Sequence, residues 1–191
     1  MSFSEVEKVG ALLSDLRREW FVCGGWAIDL FLGRVTREHK DVDIAVARRD
    51  QSAARDYLVR RGWRLEKAVD GELTAWADGE ILSPPVHTVW CRNDAHDPAF
   101  VELLLNEIDD ERFRFRRDET ITRERGRMSF KSDSGLPALA PEIVLLYESG
   151  RPEENASDFR NAAASLPEES RVWLKRALDK VSAQHPWTKE L

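Results

Sequence analysis

The sequence has little cysteine: two residues, Cys23 and Cys91, in a chain of 191. They stand far apart, with no further Cys or His beside them at ligand spacing. That argues against a disulfide framework or a zinc site and leaves a reduced, cytoplasmic protein as the expectation. Long apolar runs are also missing. None approaches the ~20 residues of a membrane-spanning helix, and the opening MSFSEVEKVG has no signal-peptide core, so no membrane partner is expected. A basic excess is absent too. Against 29 Lys+Arg stand 35 Asp+Glu, a net charge of −6, which speaks against a general nucleic-acid binder. What is present is ordinary for a soluble globule: 42% hydrophobic and 34% charged residues. The length fits one α/β domain, or a small domain with a helical appendage. It suffices to bury roughly 70% of the unfolded surface without a staple.

The total charge hides a pattern. Residues 70–111 hold eleven acids and one base, Arg92, a net −10, so the remainder of the chain carries +4. Residues 112–131 then hold eight bases and three acids. Two readings stand side by side: solvated strand faces and loops, or an acidic wall for a cationic ligand next to a basic region for an anionic one. Charge counting does not choose between them.

Along the chain, Val6, Val9, Leu13, Leu16 and Trp20 recur at helical steps. They predict an amphipathic helix over about 4–19, opened by a capping box of Ser4 and Glu7. Phe21-Val22-Cys23 reads as a buried strand entering a Gly24-Gly25 turn. A helix over 26–32 follows, stopped by Gly33. Val42, Ile44 and Val46 alternate with Asp41, Asp43 and Ala45, a strand period. A helix is expected over 49–61 and strands over 73–77, 86–91, 100–106 and 112–115. Helices opened by Pro141, Pro152 and Pro167 are expected after that. The expected organisation is an α/β domain over 1–132 and a helical part over 133–191 packed on it. Trp63, Trp76, Trp90, Trp173 and Trp187 could line a sugar-binding cleft or fill the core.

Three features carry chemistry. Gly24-Gly25 between a strand and a helix exposes backbone N–H groups beside a helix N-terminus, which suits phosphate. Asp41 and Asp43, two positions apart on a strand, face one side and repel each other unless a cation lies between them. Glu102 interrupts the apolar run 100–105, where an unpaired carboxylate is costly. Three such carboxylates make a hard oxygen site for Mg²⁺, with two ions activating an attacking oxygen and a leaving pyrophosphate. Together with the phosphate cradle they imply nucleotidyl transfer from a nucleoside triphosphate.

The run GGWAIDLFLGRVTREHKDVDI, within residues 22–46, resembles the aminoglycoside 2''-adenylyltransferase branch of the nucleotidyltransferase superfamily. LAPEIVLLY over 139–147 is similar to a C-terminal segment of the same branch. The resemblance implies an α/β (α+β) fold, a mixed sheet flanked by helices with a C-terminal helical part. It implies that Asp41, Asp43 and Glu102 are the metal and catalytic residues, with Glu102 as candidate base, where the nearest relatives carry Asp. It further implies that Gly24 and Gly25, with Arg37 or Lys40, hold the triphosphate of ATP. Asp29 and His39 are read as loop-structuring, and Tyr147 as core or nucleotide neighbour. The resulting expectation is an Mg²⁺-dependent enzyme that moves AMP from ATP to a hydroxyl of a small cationic acceptor such as an aminoglycoside. The alternatives are a toxin–antitoxin type nucleotidyltransferase acting on protein or tRNA, and a non-catalytic nucleotide-binding module.

Overall fold

A computed structural model describes residues 2–191. Eight strands form the main path of a mixed sheet in the order β4-β3-β5-β6-β2-β1-β10-β9. They are β1 (Trp20–Cys23), β2 (Asp43–Ala47), β3 (Arg64–Val69), β4 (Glu72–Ala75), β5 (Thr88–Arg92), β6 (Phe100–Ile108), β9 (Ser129–Lys131) and β10 (Pro137–Leu139). Two more, β7 (Arg112–Phe115) and β8 (Asp118–Glu124), extend from the far end of β6 as an antiparallel ribbon. The β2–β6 and β1–β10 pairs are parallel and the others antiparallel.

The core explains this order. After Asp43, every residue of β2 is buried, as expected for a central strand covered on both faces. On β6, Val101, Leu103 and Leu105 are buried while Glu102 and Leu104 are half-buried, so alternation separates a core face from a face that opens outward. Six helices flank the sheet: α1 (Ser4–Leu13), α2 (Gly24–Leu32), α3 (Gln51–Val59), α4 (Pro141–Glu148), α5 (Ala156–Ala163) and α6 (Glu168–Val181). α2 packs against α4 and α5, and α4 against α6.

Several expectations are corrected. α1 ends at Leu13, not near 19, and Trp20 belongs to β1. The apparent helical step from Leu16 to Trp20 spans a turn. The Ser4–Glu7 capping box does not form: Phe3 is the cap and no side chain bonds the helix end. Gly24 and Gly25 are the first turn of α2 rather than a turn before it. Gly33 does stop α2 in the left-handed conformation, at φ 66°. β3, β8, β9 and β10 were not expected. β8 reads DETITRE and buries only Ile121 and Arg123, so its pattern carries no strand signal. The division expected near 133 falls between β9 and β10, and β10 lies in the sheet beside β1.

Candidate active site

The floor of a cavity of about 650 Å³ is the outward face of the sheet. Glu102, Leu104 and Asn106 occupy alternate positions of β6 and all line it, with Thr88 of β5 and Asp43 of β2 beside them. In the parallel β2–β6 register Asp43 lies directly opposite Glu102. Burial, then the Glu102 carboxyl, and then Asp41 raise Asp43 well above the usual carboxylate range. Two hard oxygen donors on neighbouring strands fit a divalent ion, since Mg²⁺ is commonly held by one or two carboxylates with substrate phosphates completing its shell. Among the described residues no group of three or more His, Cys, Asp or Glu side chains is gathered to hold a metal. Asp41 precedes β2, is half-buried and does not line the cavity.

Gly24 and Gly25 form the wall above these carboxyls, at the N-terminus of α2. Gly24 has φ 61°, and a Cβ there would overlap the Asp43 carboxylate, lying 3.1 Å from its Cγ. Only glycine meets both demands without strain. A Cβ on Gly25 would lie 2.6 Å from His39 Cε1. The wall is therefore backbone, with the positive end of a helix behind it.

The loop after α2 is fixed from inside. Asp29, fully buried, accepts bonds from Thr36 N (3.1 Å) and Thr36 Oγ1 (2.6 Å) at Oδ1, and pairs with His39 Nε2 at 2.6 Å through Oδ2. Burial pushes the Asp29 carboxyl up, but the His39 and Thr36 hydrogen bonds outweigh it and leave it below its ordinary value. His39 also lies against Trp26, ring centres 4.3 Å apart. Both residues thus shape the loop. Arg37 lines the cavity, but its Nε and Nη2 bind the buried Asp158 at 2.9 and 2.7 Å and its Nη1 donates to the Glu38 carbonyl. Lys40 is exposed and outside the cavity lining.

The acidic segment 70–111 does not wall the cavity. Of its eleven acids only Glu102 lines it. Eight others pair with bases: Asp78 with Arg55, Glu80 with Lys67, Asp94 with Arg64, Asp97 with Lys8, Glu107 with Arg48, Asp109 with Arg114, Asp110 with Arg49 and Glu111 with Arg112. The tryptophans are not there either; Trp63, Trp76 and Trp187 are core. Other side chains close the cavity instead: Arg116 and Arg117, two bases of the 112–131 cluster, from the turn between β7 and β8, Glu148 at the end of α4, and Arg151 and Asn155 beyond it. Tyr147 lines it too, its hydroxyl donating to Asn106 Oδ1 at 3.2 Å. Burial pushes its phenol up to about 12. Burial, then Asp158, pushes the Glu148 carboxyl up to about 8. The Arg-Arg doublet was visible as charge, but nothing local distinguished it from its six basic neighbours.

Comparisons with known proteins agree with this architecture. Residues 5–95 match the family model of aminoglycoside-2''-adenylyltransferase. Over 94 residues, 49% of this chain, it is 28% identical to a 2''-aminoglycoside nucleotidyltransferase of Escherichia coli, and a Klebsiella pneumoniae counterpart is 30% identical. The chain spans about half the length of these relatives, 52%. Among solved structures, the antibiotic-resistance factor ANT(2'')-Ia superposes with a TM-score of 0.63 at 17% identity, covering 94% of this chain and 92% of that one. The same enzyme in complex with adenylyl-2''-tobramycin gives 0.63 at 16% identity, covering 94% and 98%. The lincosamide antibiotic adenylyltransferase LnuA, lincomycin-bound, gives 0.59 at 17%, covering 85% and 97%. By fold the chain is thus of the nucleotidyltransferase type, and over residues 5–95 its sequence resembles the aminoglycoside-2''-adenylyltransferase branch.

Proposed function

We propose that the protein transfers AMP from ATP, with Mg²⁺, to a hydroxyl of a small antibiotic-like acceptor. The observation that carries the reading is the Asp43–Glu102 pair, set opposite each other across two parallel strands beneath the N-terminus of α2. Asp43 and Glu102 are the residues that would hold the metal, while Asp41, the third carboxylate expected from the sequence, lies outside the cavity lining. When bound, Mg²⁺ supplies Lewis-acid polarisation of the phosphates and neutralises charge developing on the leaving group. Gly24 and Gly25 present backbone N–H groups to the phosphates. Arg37 adds positive charge to the wall while anchored on Asp158, and Lys40 is the neighbouring exposed base. A Glu102 carboxylate oxygen takes the proton of the acceptor hydroxyl. The hydroxyl oxygen then bonds to the α-phosphorus as the bond to the bridging oxygen breaks, and pyrophosphate leaves.

The acceptor class rests on likeness rather than on charge. The relatives are named for aminoglycosides and the solved neighbours hold adenylyl-2''-tobramycin and lincomycin. Three acids line this cavity, Asp43, Glu102 and Glu148, and four arginines face them. The protein is tested with ATP, Mg²⁺ and a panel of aminoglycosides and lincosamides, reading pyrophosphate release and the mass of an adduct. Release with at least one acceptor, abolished by Asp43→Ala, is the expected result. Adducts only on tRNA or protein would move the acceptor to the macromolecular class. Unchanged transfer by Asp43→Ala would overturn the site.

A further inference from the structure

Within the basic stretch 112–131, most arginines are engaged inside the protein. Arg112 pairs with Glu111, Arg114 with Asp109, Arg123 with Glu142, Arg125 with Glu19 and Arg127 with Glu169. Arg116 and Arg117 form no ion pair among the described residues, yet both line the cavity that holds Asp43 and Glu102. They are also held in place. Their guanidinium carbons sit 5.0 and 5.9 Å from the centre of the Tyr147 ring, and that of Arg117 lies 5.8 Å from Phe115. Arg117 Nη1 donates to the Tyr147 carbonyl at 3.1 Å. It occupies the space a side chain at Gly150 would need, with a Cβ there lying 2.7 Å away. Tyr147 is itself fixed by Phe113, Phe115 and its bond to Asn106. The Arg116 charge reaches the Cys23 thiol, next to the Gly24-Gly25 wall.

Two like charges mounted side by side on a rigid aromatic platform repel each other. Desolvation at the cavity wall, and then Arg116, hold the Arg117 guanidinium below its ordinary value. An anion with several oxygens relieves that repulsion, and planar guanidinium forks match phosphate oxygens two at a time.

We propose that Arg116 and Arg117 form a polyphosphate clamp that grips the phosphate chain of the nucleotide and retains the departing pyrophosphate. The proposal rests on the nucleotidyl-transfer reading for its place in a reaction, but the binding itself is measurable without transfer.

The experiment is calorimetric titration of inorganic tripolyphosphate, and separately ATP, each with Mg²⁺, into the intact protein. The variants are Arg116→Gln, Arg117→Gln and the double variant, with the exposed Arg160→Gln as a charge control. Thermal unfolding establishes that each variant is folded, and Arg116→Lys with Arg117→Lys serves if the glutamine variants unfold. Each single glutamine variant should weaken tripolyphosphate binding by roughly tenfold, as expected for loss of a charged hydrogen bond, and the double variant by more. Arg160→Gln should change it less than about twofold. Antibiotic binding, where it occurs, should be unaffected. If the folded double variant binds tripolyphosphate as the wild type does, or loses no more than Arg160→Gln, the clamp is overturned. If binding falls as expected while no acceptor supports transfer, the clamp stands and the transferase reading fails.

Discussion

At the scale of single residues, the site depends on what each side chain is denied as much as on what it contacts. Asp43 and Glu102 are pressed together on neighbouring strands, and only glycine at position 24 leaves space for the Asp43 carboxylate. Gly24→Ala should therefore cost about 1–3 kcal/mol of stability, from a left-handed backbone and an overlap with Asp43. It should also depress transfer more than the stability loss explains. Calorimetric unfolding and turnover at a temperature where the variant is folded check both. Glu102→Gln keeps the size of the side chain and removes its basicity. It should lower kcat about 10²–10⁴-fold, read as initial rates of pyrophosphate release at saturating nucleotide.

At the scale of elements, the C-terminal helices are tied to the sheet through buried charge. Arg123 of β8 reaches Glu142 of α4 at 2.6 Å, and both side chains are over nine-tenths buried. Arg123 also meets Glu169 at 3.1 Å and lies over the Trp173 ring on α6. Removing one member of such a pair leaves an uncompensated buried charge, which costs more than the pair contributes. Arg123→Ala should lose about 3 kcal/mol and lower Tm by about 6–12 °C. Joint replacement of Arg123 by Met and Glu142 by Leu should recover most of that loss. Equal losses in the two proteins would show that the shape of Arg123, rather than its charge, holds α4 and α6 in place. α4 matters to the site because Tyr147 and Glu148 end it.

At the scale of the whole molecule, two partly buried titrating groups set opposite slopes of stability with pH. His87 accepts a bond from Arg48 Nη2 at 2.7 Å through Nδ1. Burial, then the Arg116 and Arg48 charges, pull it down to about 4. Between that value and its unfolded 6.5 the unfolded chain binds more protons, so stability falls as pH drops through this window. Glu148, near 8 when folded and 4.5 when unfolded, binds more protons in the native state, so stability falls as pH rises from 4.5 to 8. Plots of Tm against pH should flatten on the acid side in His87→Gln and on the neutral to alkaline side in Glu148→Gln. The second variant should gain most over wild type at pH 8.

Much of the site was legible because its residues are consecutive or carry a local oddity. Gly24-Gly25 lies between an apolar run and a helical one, Asp43 opens a strand of strong period, and Glu102 breaks an apolar stretch. These are local facts, and the strands and helices that bear them follow from periodicity. The charge-rich β8 and the three-residue β9 and β10 were not legible, since their pairing partners rather than their own residues define them. Nor did local sequence show that most acids of 70–111 would be paired, several of them with bases from distant segments. The sequence by itself determined the Gly24-Gly25 pair at the junction of strand and helix and the two carboxylates, because backbone freedom and strand period are local properties. The tertiary structure alone decided which charges face the cavity. It paired most of the arginines with nearby acids and left Arg116 and Arg117 facing the cavity, because ion pairing is settled by distances that only folding creates.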